Sequence, residues 1–175
     1  MQSFRKTVTK KNTAGKITAL LCLLSGAALF LLAGQIGQFV ALAQLLGVGL
    51  LGASIYIASA YLLRVYTFSV EPSGKAGDEL PLEERYDFLI TERKGNRDVK
   101  VCHLGLGDIT NLRVVDPENK KQILEERKNK KRFTYNTEYA ASRQIEVAAT
   151  IDDEDYSILI TYDEELFRVL KDLLP

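Results

Sequence analysis

The residues whose types could do chemistry are few. His103 is the sole histidine and stands beside Cys102. Adjacent residues on a strand project to opposite faces, so the pair supplies no two convergent metal ligands. His103 is read as a packed or surface side chain, with no second histidine to build a Ser-His-Asp or Cys-His pair. Cys102 has no activating base near it in sequence, which a reactive thiolate requires. No P-loop, no GxGxxG and no spaced Cys/His cluster occurs. The acidic tetrad Asp152, Asp153, Glu154 and Asp155 lacks the alternating ligands and fixed glycine of a calcium loop. It reads as a solvated hairpin tip. The sequence therefore nominates no catalytic, cofactor-binding or metal-ligating residue, and the chain is expected not to be an enzyme.

The most interesting exposed feature is basic: Lys120, Lys121, Arg127, Lys128, Lys130, Lys131 and Arg132. Such a run can touch anionic lipid or a partner, each charge adding about 1 kcal/mol close to a membrane surface. Glu118, Glu125 and Glu126 are interspersed and weaken the field. A solvated loop is the plainer reading.

What could position these groups follows from how charge is distributed. Residues 17–63 are 47 consecutive positions without Asp, Glu, Lys, Arg or His. Residues 64–175 hold all 23 acids and 18 of the 23 bases, a net charge of −5. Phosphate contacts need clustered Lys and Arg, so an acidic unit of this kind is not expected to bind nucleic acid. Cys22 lies in the apolar run and Cys102 in the charged part. The two are expected to stay unpaired, as in a reducing cytoplasm.

Forty-seven residues would make a helix of roughly 70 Å, against a hydrocarbon core of about 30 Å. Two crossings fit. Gly34, Gln35, Gly37 and Gln38 cluster midway and mark the turn, so the spans are placed at 17–34 and 39–63. A cleaved signal peptide would also begin basic and turn apolar, but a second span follows almost at once. Arg5, Lys6, Lys10, Lys11 and Lys16 precede the first span with no acid among them. The positive-inside rule then keeps the N-terminus in the cytoplasm, and two crossings return the C-terminus there. Residues 1–16 read as a basic cytoplasmic tail. Small residues at four-residue spacing run along the second span: Ala43/Gly47, Gly49/Ala53 and Ser54/Ala58. Gly47, Gly49, Ala53 and Ala58 are the candidate packing positions, against the first span or, alternatively, against a second copy. No ionisable group lies in either span, so an ion path within this subunit is not expected.

Beyond residue 64 the apolar period becomes two, the mark of half-buried strands. Tyr66, Phe68 and Val70 share a face, as do Tyr86, Phe88 and Ile90. Val99 with Val101, Phe133 with Tyr135, Ile145 through Ile151 and Tyr156 through Tyr162 repeat the pattern. A further short strand is expected over 109–115. Lys94-Gly95-Asn96 and the acidic tetrad supply hairpin turns. Residues 118–131 read as a mobile loop or short helix outside the core. A closing helix over 163–174 is capped by Thr161 or Asp163 and carries Leu166, Phe167, Leu170, Leu173 and Leu174 on one face. The expected fold is a transmembrane hairpin plus a mainly-β (α+β) cytoplasmic domain, a bent antiparallel sheet or open barrel of six to seven strands with a C-terminal helix.

The strand order, the run Arg132-Phe-Thr-Tyr-Asn-Thr and the closing run from Ile158 to Leu170 resemble bacterial membrane-anchored proteins with a pleckstrin-homology-like domain. The resemblance covers roughly Val65 to Pro175 and implies a binding or assembly module of the inner membrane. It carries over no site residue, and the basic first hairpin of phosphoinositide-binding relatives is missing. The expectation is a multi-pass inner-membrane protein with both termini cytoplasmic. Its expected partners are the bilayer and a protein ligand, with self-association through the second span as an alternative. The alternatives are an accessory subunit of a transport complex or a membrane-associated enzyme.

Overall fold

The computed structural model describes every residue except 1–2, 9–11, 36, 75–80 and 175, and only the backbone of 38, 82 and 83. Lys10 and Lys11 thus lie outside the described residues. The chain forms two compact units: Lys10–Arg64 with Thr137–Ala140, and Met1–Thr9 with Val65–Asn136 and Ala141–Pro175.

The first unit is a hairpin of α1 (Thr13–Leu32) and α2 (Val40–Ile57), with short 3-10 turns at Ala33–Gln35 and Gly37–Phe39 between them. Gly37 adopts φ +66°, the left-handed conformation that glycine takes without steric cost. Including its adjoining turn, each helix runs 23 residues, about 35 Å at the helical rise. Both are long and apolar enough to cross a bilayer. The helices meet on small side chains. Ala19, Gly26 and Ala33 of the first span and Ala43, Gly47 and Ser54 of the second are buried. A methyl group on Gly26 would stand 2.8 Å from the Gly47 carbonyl oxygen, and one on Gly47 would stand 2.9 Å from that of Gly26. Ser54 Oγ donates to the Ala19 carbonyl at 2.8 Å. Large side chains point the other way: Leu31, Leu45 and Ile55 are 79%, 70% and 68% exposed.

Asn12 ties the open end of the hairpin. Its Oδ1 caps α1 by accepting from Gly15 N–H at 3.1 Å and also accepts from Tyr139 N–H at 3.3 Å. Its Nδ2 donates to the Thr137 carbonyl at 2.9 Å and the Tyr61 carbonyl at 3.3 Å. Tyr61 and Tyr139 pack edge to face at 5.4 Å.

The second unit holds two four-stranded sheets. The first is ordered β1 (Phe4–Val8), β2 (Tyr66–Pro72), β3 (Tyr86–Lys94), β4 (Arg97–Gly105), all antiparallel. The second runs β5 (Ile109–Val115), β7 (Gln144–Ile151), β8 (Glu154–Thr161), β6 (Lys131–Tyr135), with β6 parallel to β8. Phe68, Phe88 and Ile90 from one sheet join Ile145, Val147, Ile158 and Ile160 from the other in a single core. Leu166, Leu170 and Leu173 of α4 (Glu164–Leu173) close it. Asp163 rather than Thr161 caps that helix, accepting from Leu166 N–H at 3.0 Å.

Four expectations need correction. The fold has eight strands in two sheets, not six or seven in one. The additional strand is β1, within the supposed tail: Phe4, Lys6 and Val8 alternate inward and pair with Val70, Phe68 and Tyr66. Val99 and Val101 do not line the core together. A bulge between Ile90 and Thr91 leaves Val101 without a partner and shifts the phase, so Cys102 and Leu104 pair opposite Ile90 and Phe88. Residues 118–131 are not outside the core either. Helix α3 (Lys120–Glu126) buries Ile123 against Val115 and Leu159. This second cluster lies on the face of β7 and β8 opposite the main core, so both strands are covered on two sides.

Candidate functional site

The basic run does not form one patch. Lys120 and Lys121 stand exposed on α3, and Arg132 is exposed on β6. Lys128 pairs with Glu125 at 2.6 Å. Lys131 pairs with Glu154 and lies over the Tyr156 ring. Lys130 is half-buried. Arg127 leaves the surface altogether at 4% exposure, which corrects its place among candidate lipid contacts.

Arg127 instead enters a buried polar network. Its Nε donates to Ser157 Oγ at 2.8 Å, and its Nη2 to the Phe133 and Ser157 carbonyls at 3.1 and 3.2 Å. Ser157 Oγ in turn donates to Glu146 Oε1. Arg113 Nε donates to Glu146 Oε2 at 2.5 Å and its Nη2 to Glu126 Oε2 at 2.5 Å. Gln122 completes the chain at Glu126. Burial lowers the proton affinity of Arg127. Burial also opposes the charge of Arg113, but its hydrogen bonds to Glu146 and Glu126 outweigh it and hold its pKa above the ordinary value. The Arg113 hydrogen bond, then that of Gln122, holds the Glu126 carboxyl below its ordinary value. Ser157 and Glu146 are fully buried. Their contact joins β8 to β7 and offers no reachable nucleophile, while the Arg113–Glu126 bond reaches α3.

The signal for this network was available. Glu146 sits within Ile-Glu-Val-Ala-Ala and Leu159 within Ile-Leu-Ile, and a strand apolar on both sides has both faces covered. A charge on the second face must then find a partner.

The remaining candidates occupy separate places. Cys102 and His103 do diverge. His103 Nε2 meets Asp87 Oδ2 at 2.8 Å on the exposed side, while Cys102 packs inward and burial pushes its thiol up to about 11. Asp152 and Asp153 form a two-residue turn at φ 51° and 61°, the left-handed pair that Asp tolerates in hairpins. Asp155 is held by Thr150. Among the described residues, no group of three or more His, Cys, Asp or Glu is arranged to hold a metal ion. Gly47 lies between the two helices. Gly49 and Ala53 face away, with open space around Gly49, and Ala58 is half-buried. Arg5 and Lys6 of the N-terminal basic group are engaged in the β unit, by Asp98 at 3.6 Å and by Asp163 at 3.0 Å respectively.

One surface combines apolar exposure with charge. Phe133 of β6 stacks on Tyr135 and Tyr156 at 6.4 and 6.3 Å yet stays 43% exposed. Tyr135 donates to the Val101 carbonyl of β4 at 3.0 Å, and burial pushes its phenol up to about 12, so it remains a donor. No family model, curated protein or solved structure matches this chain.

Proposed function

We propose that this chain is a membrane-tethered binding or assembly module without catalytic activity. Its hairpin crosses the inner membrane twice, and its pleckstrin-homology-like β unit engages a protein partner in the cytoplasm. The observation that carries the reading is the inverted packing of the hairpin. Glycine, alanine and serine lie between its helices and leucine faces out, an arrangement stable in hydrocarbon and costly in water. The pairing of β1 with β2 supports the topology. Strands immediately before and after the hairpin belong to one sheet, as a chain that crosses twice and returns to its starting side requires. The lysines around the first span favour the cytoplasmic side. Cleavage as a signal peptide would strip β1 from its sheet.

The outward face of α2 favours a second reading. Gly49 and Gly52 have no neighbour within 4 Å, leaving room for another helix of the kind an accessory subunit of a transport complex would meet.

Alkaline carbonate washing of membranes, with reporters fused to each terminus, tests the main reading. The chain should stay in the pellet with both reporters cytoplasmic. Release into the supernatant, or an exterior C-terminal reporter, refutes it.

A further inference from the structure

We propose that the open corner between the edge strands β4 and β6 takes an acidic, extended segment of a partner protein, added as a further strand. This deepens the reading of the β unit as a binding module. Among the described residues each of the two strands pairs on one flank only, β4 with β3 and β6 with β8, so their outer flanks lack strand partners there. Tyr135 Oη reaches the Val101 carbonyl and thereby brings the two edges together at one corner. Large apolar side chains are exposed at only three described positions of this unit: Val99, Leu124 and Phe133. Two of the three, Val99 at 40% and Phe133 at 43%, lie on these facing edges, Val99 two residues before the bridged Val101.

Charge sets the chemistry of the occupant. Lys100 and Arg132 are exposed and make no ion pair among the described residues. The nearby acids are already engaged, Asp98 by Arg5 and Arg93 and Glu154 by Lys131. Edge cations repel a like strand and so guard against aggregation. The same cations attract a segment rich in Asp or Glu. Added strands gain affinity from main-chain hydrogen bonds and selectivity from alternate side chains, which here would be apolar toward Phe133 and acidic toward Arg132.

The test uses the full chain in nanodiscs of neutral phosphatidylcholine. The probe is a fluorescein-labelled peptide of alternating Glu and Val, read by anisotropy. It should bind, with a Lys/Val peptide and a Glu/Val peptide N-methylated at alternate positions each at least tenfold weaker. Phe133→Ser and the pair Lys100→Glu with Arg132→Glu should each weaken binding about tenfold. Leu124→Ser, at the third exposed apolar position, should leave it unchanged. Absence of binding, indifference to N-methylation or indifference to Phe133→Ser overturns the proposal. So does complete displacement of the peptide by phosphatidylserine vesicles, which would mark the corner as a lipid contact. A chain that resists carbonate extraction yet ignores the peptide would refute this site and leave the membrane reading standing.

Discussion

The hairpin and the β unit are packed on opposite plans. Between α1 and α2 the filling is glycine, alanine and serine, and the bulky leucines point out. In the β unit Phe68, Phe88, Ile158 and Leu166 fill the centre and lysine and glutamate point out. The difference is the one expected if the hairpin lies in a membrane, as proposed, and the β unit in water. Water rewards burying large apolar groups, about 25 cal/mol per Å² removed. Hydrocarbon gives no such reward, so helices there associate by close backbone approach and an occasional hydrogen bond, here Ser54 to Ala19. The polar interior follows the same division. The hairpin buries one uncharged hub, Asn12, whereas the β unit buries the charged Arg113–Glu146–Arg127 network beneath α3.

The comparison breaks most sharply at that network. Glu146→Ala takes away the carboxylate shared by half-buried Arg113 and, through Ser157, buried Arg127, and is expected to destabilise the β unit by about 3 kcal/mol, read as urea unfolding in detergent. Glu146→Ala combined with Arg113→Met and Arg127→Met removes the uncompensated charges and should recover much of the loss. If Glu146→Ala alone is nearly neutral, the network is not the clasp described.

A smaller effect separates the two faces of α2. Gly47→Leu drives a side chain into the Gly26 carbonyl and Phe30 backbone and should cost the hairpin about 1–3 kcal/mol. Gly49→Leu enters open space and should stay within about 0.5 kcal/mol for the isolated chain. Thermal stability in detergent measures both. Equal costs would mean that the helices meet on another face. Loss of a co-purifying protein in Gly49→Leu alone would favour the accessory-subunit reading.

The smallest expected effect is pH-dependent and confined to the β unit. Burial opposes the charge on Asp163, but the Leu166 N–H and Lys6 outweigh it and hold its pKa below 3.8. A depressed carboxylate contributes stability that is complete above the unfolded value and is lost as pH falls through the folded one. Stability should therefore decline below about pH 4, and Asp163→Asn should flatten that decline while the hairpin's own stability stays unaffected. An unchanged acid limb in the variant would remove Asp163 from the account.

How far the sequence carried depended on whether a signal was local. The turn at Gly34 and Gly37, the Gly95 and Asp152 hairpins and the apolar stripe of α4 were legible because each depends on a few adjacent side chains. Strand β1 was misread because five residues of alternation beside lysines look like a tail until a partner strand exists. Arg127 was misread because its neighbours are exposed cations, and only Ser157 and Phe133, distant in sequence or across a strand, draw it inward. The bulge at Val101 is likewise invisible until β3 and β4 are paired.

By itself, then, the sequence determined two helices long and apolar enough to cross a membrane and a charged remainder that alternates into strands closed by a helix. Those are consequences of composition and period, which need no knowledge of neighbours. Only the tertiary structure decided that β1 and β2 share a sheet across the hairpin, that Gly47 rather than Gly49 meets the first span, and that β4 and β6 leave an open corner. Each of those depends on which distant groups come within contact, and contact energies act only at the few ångströms that folding alone brings about.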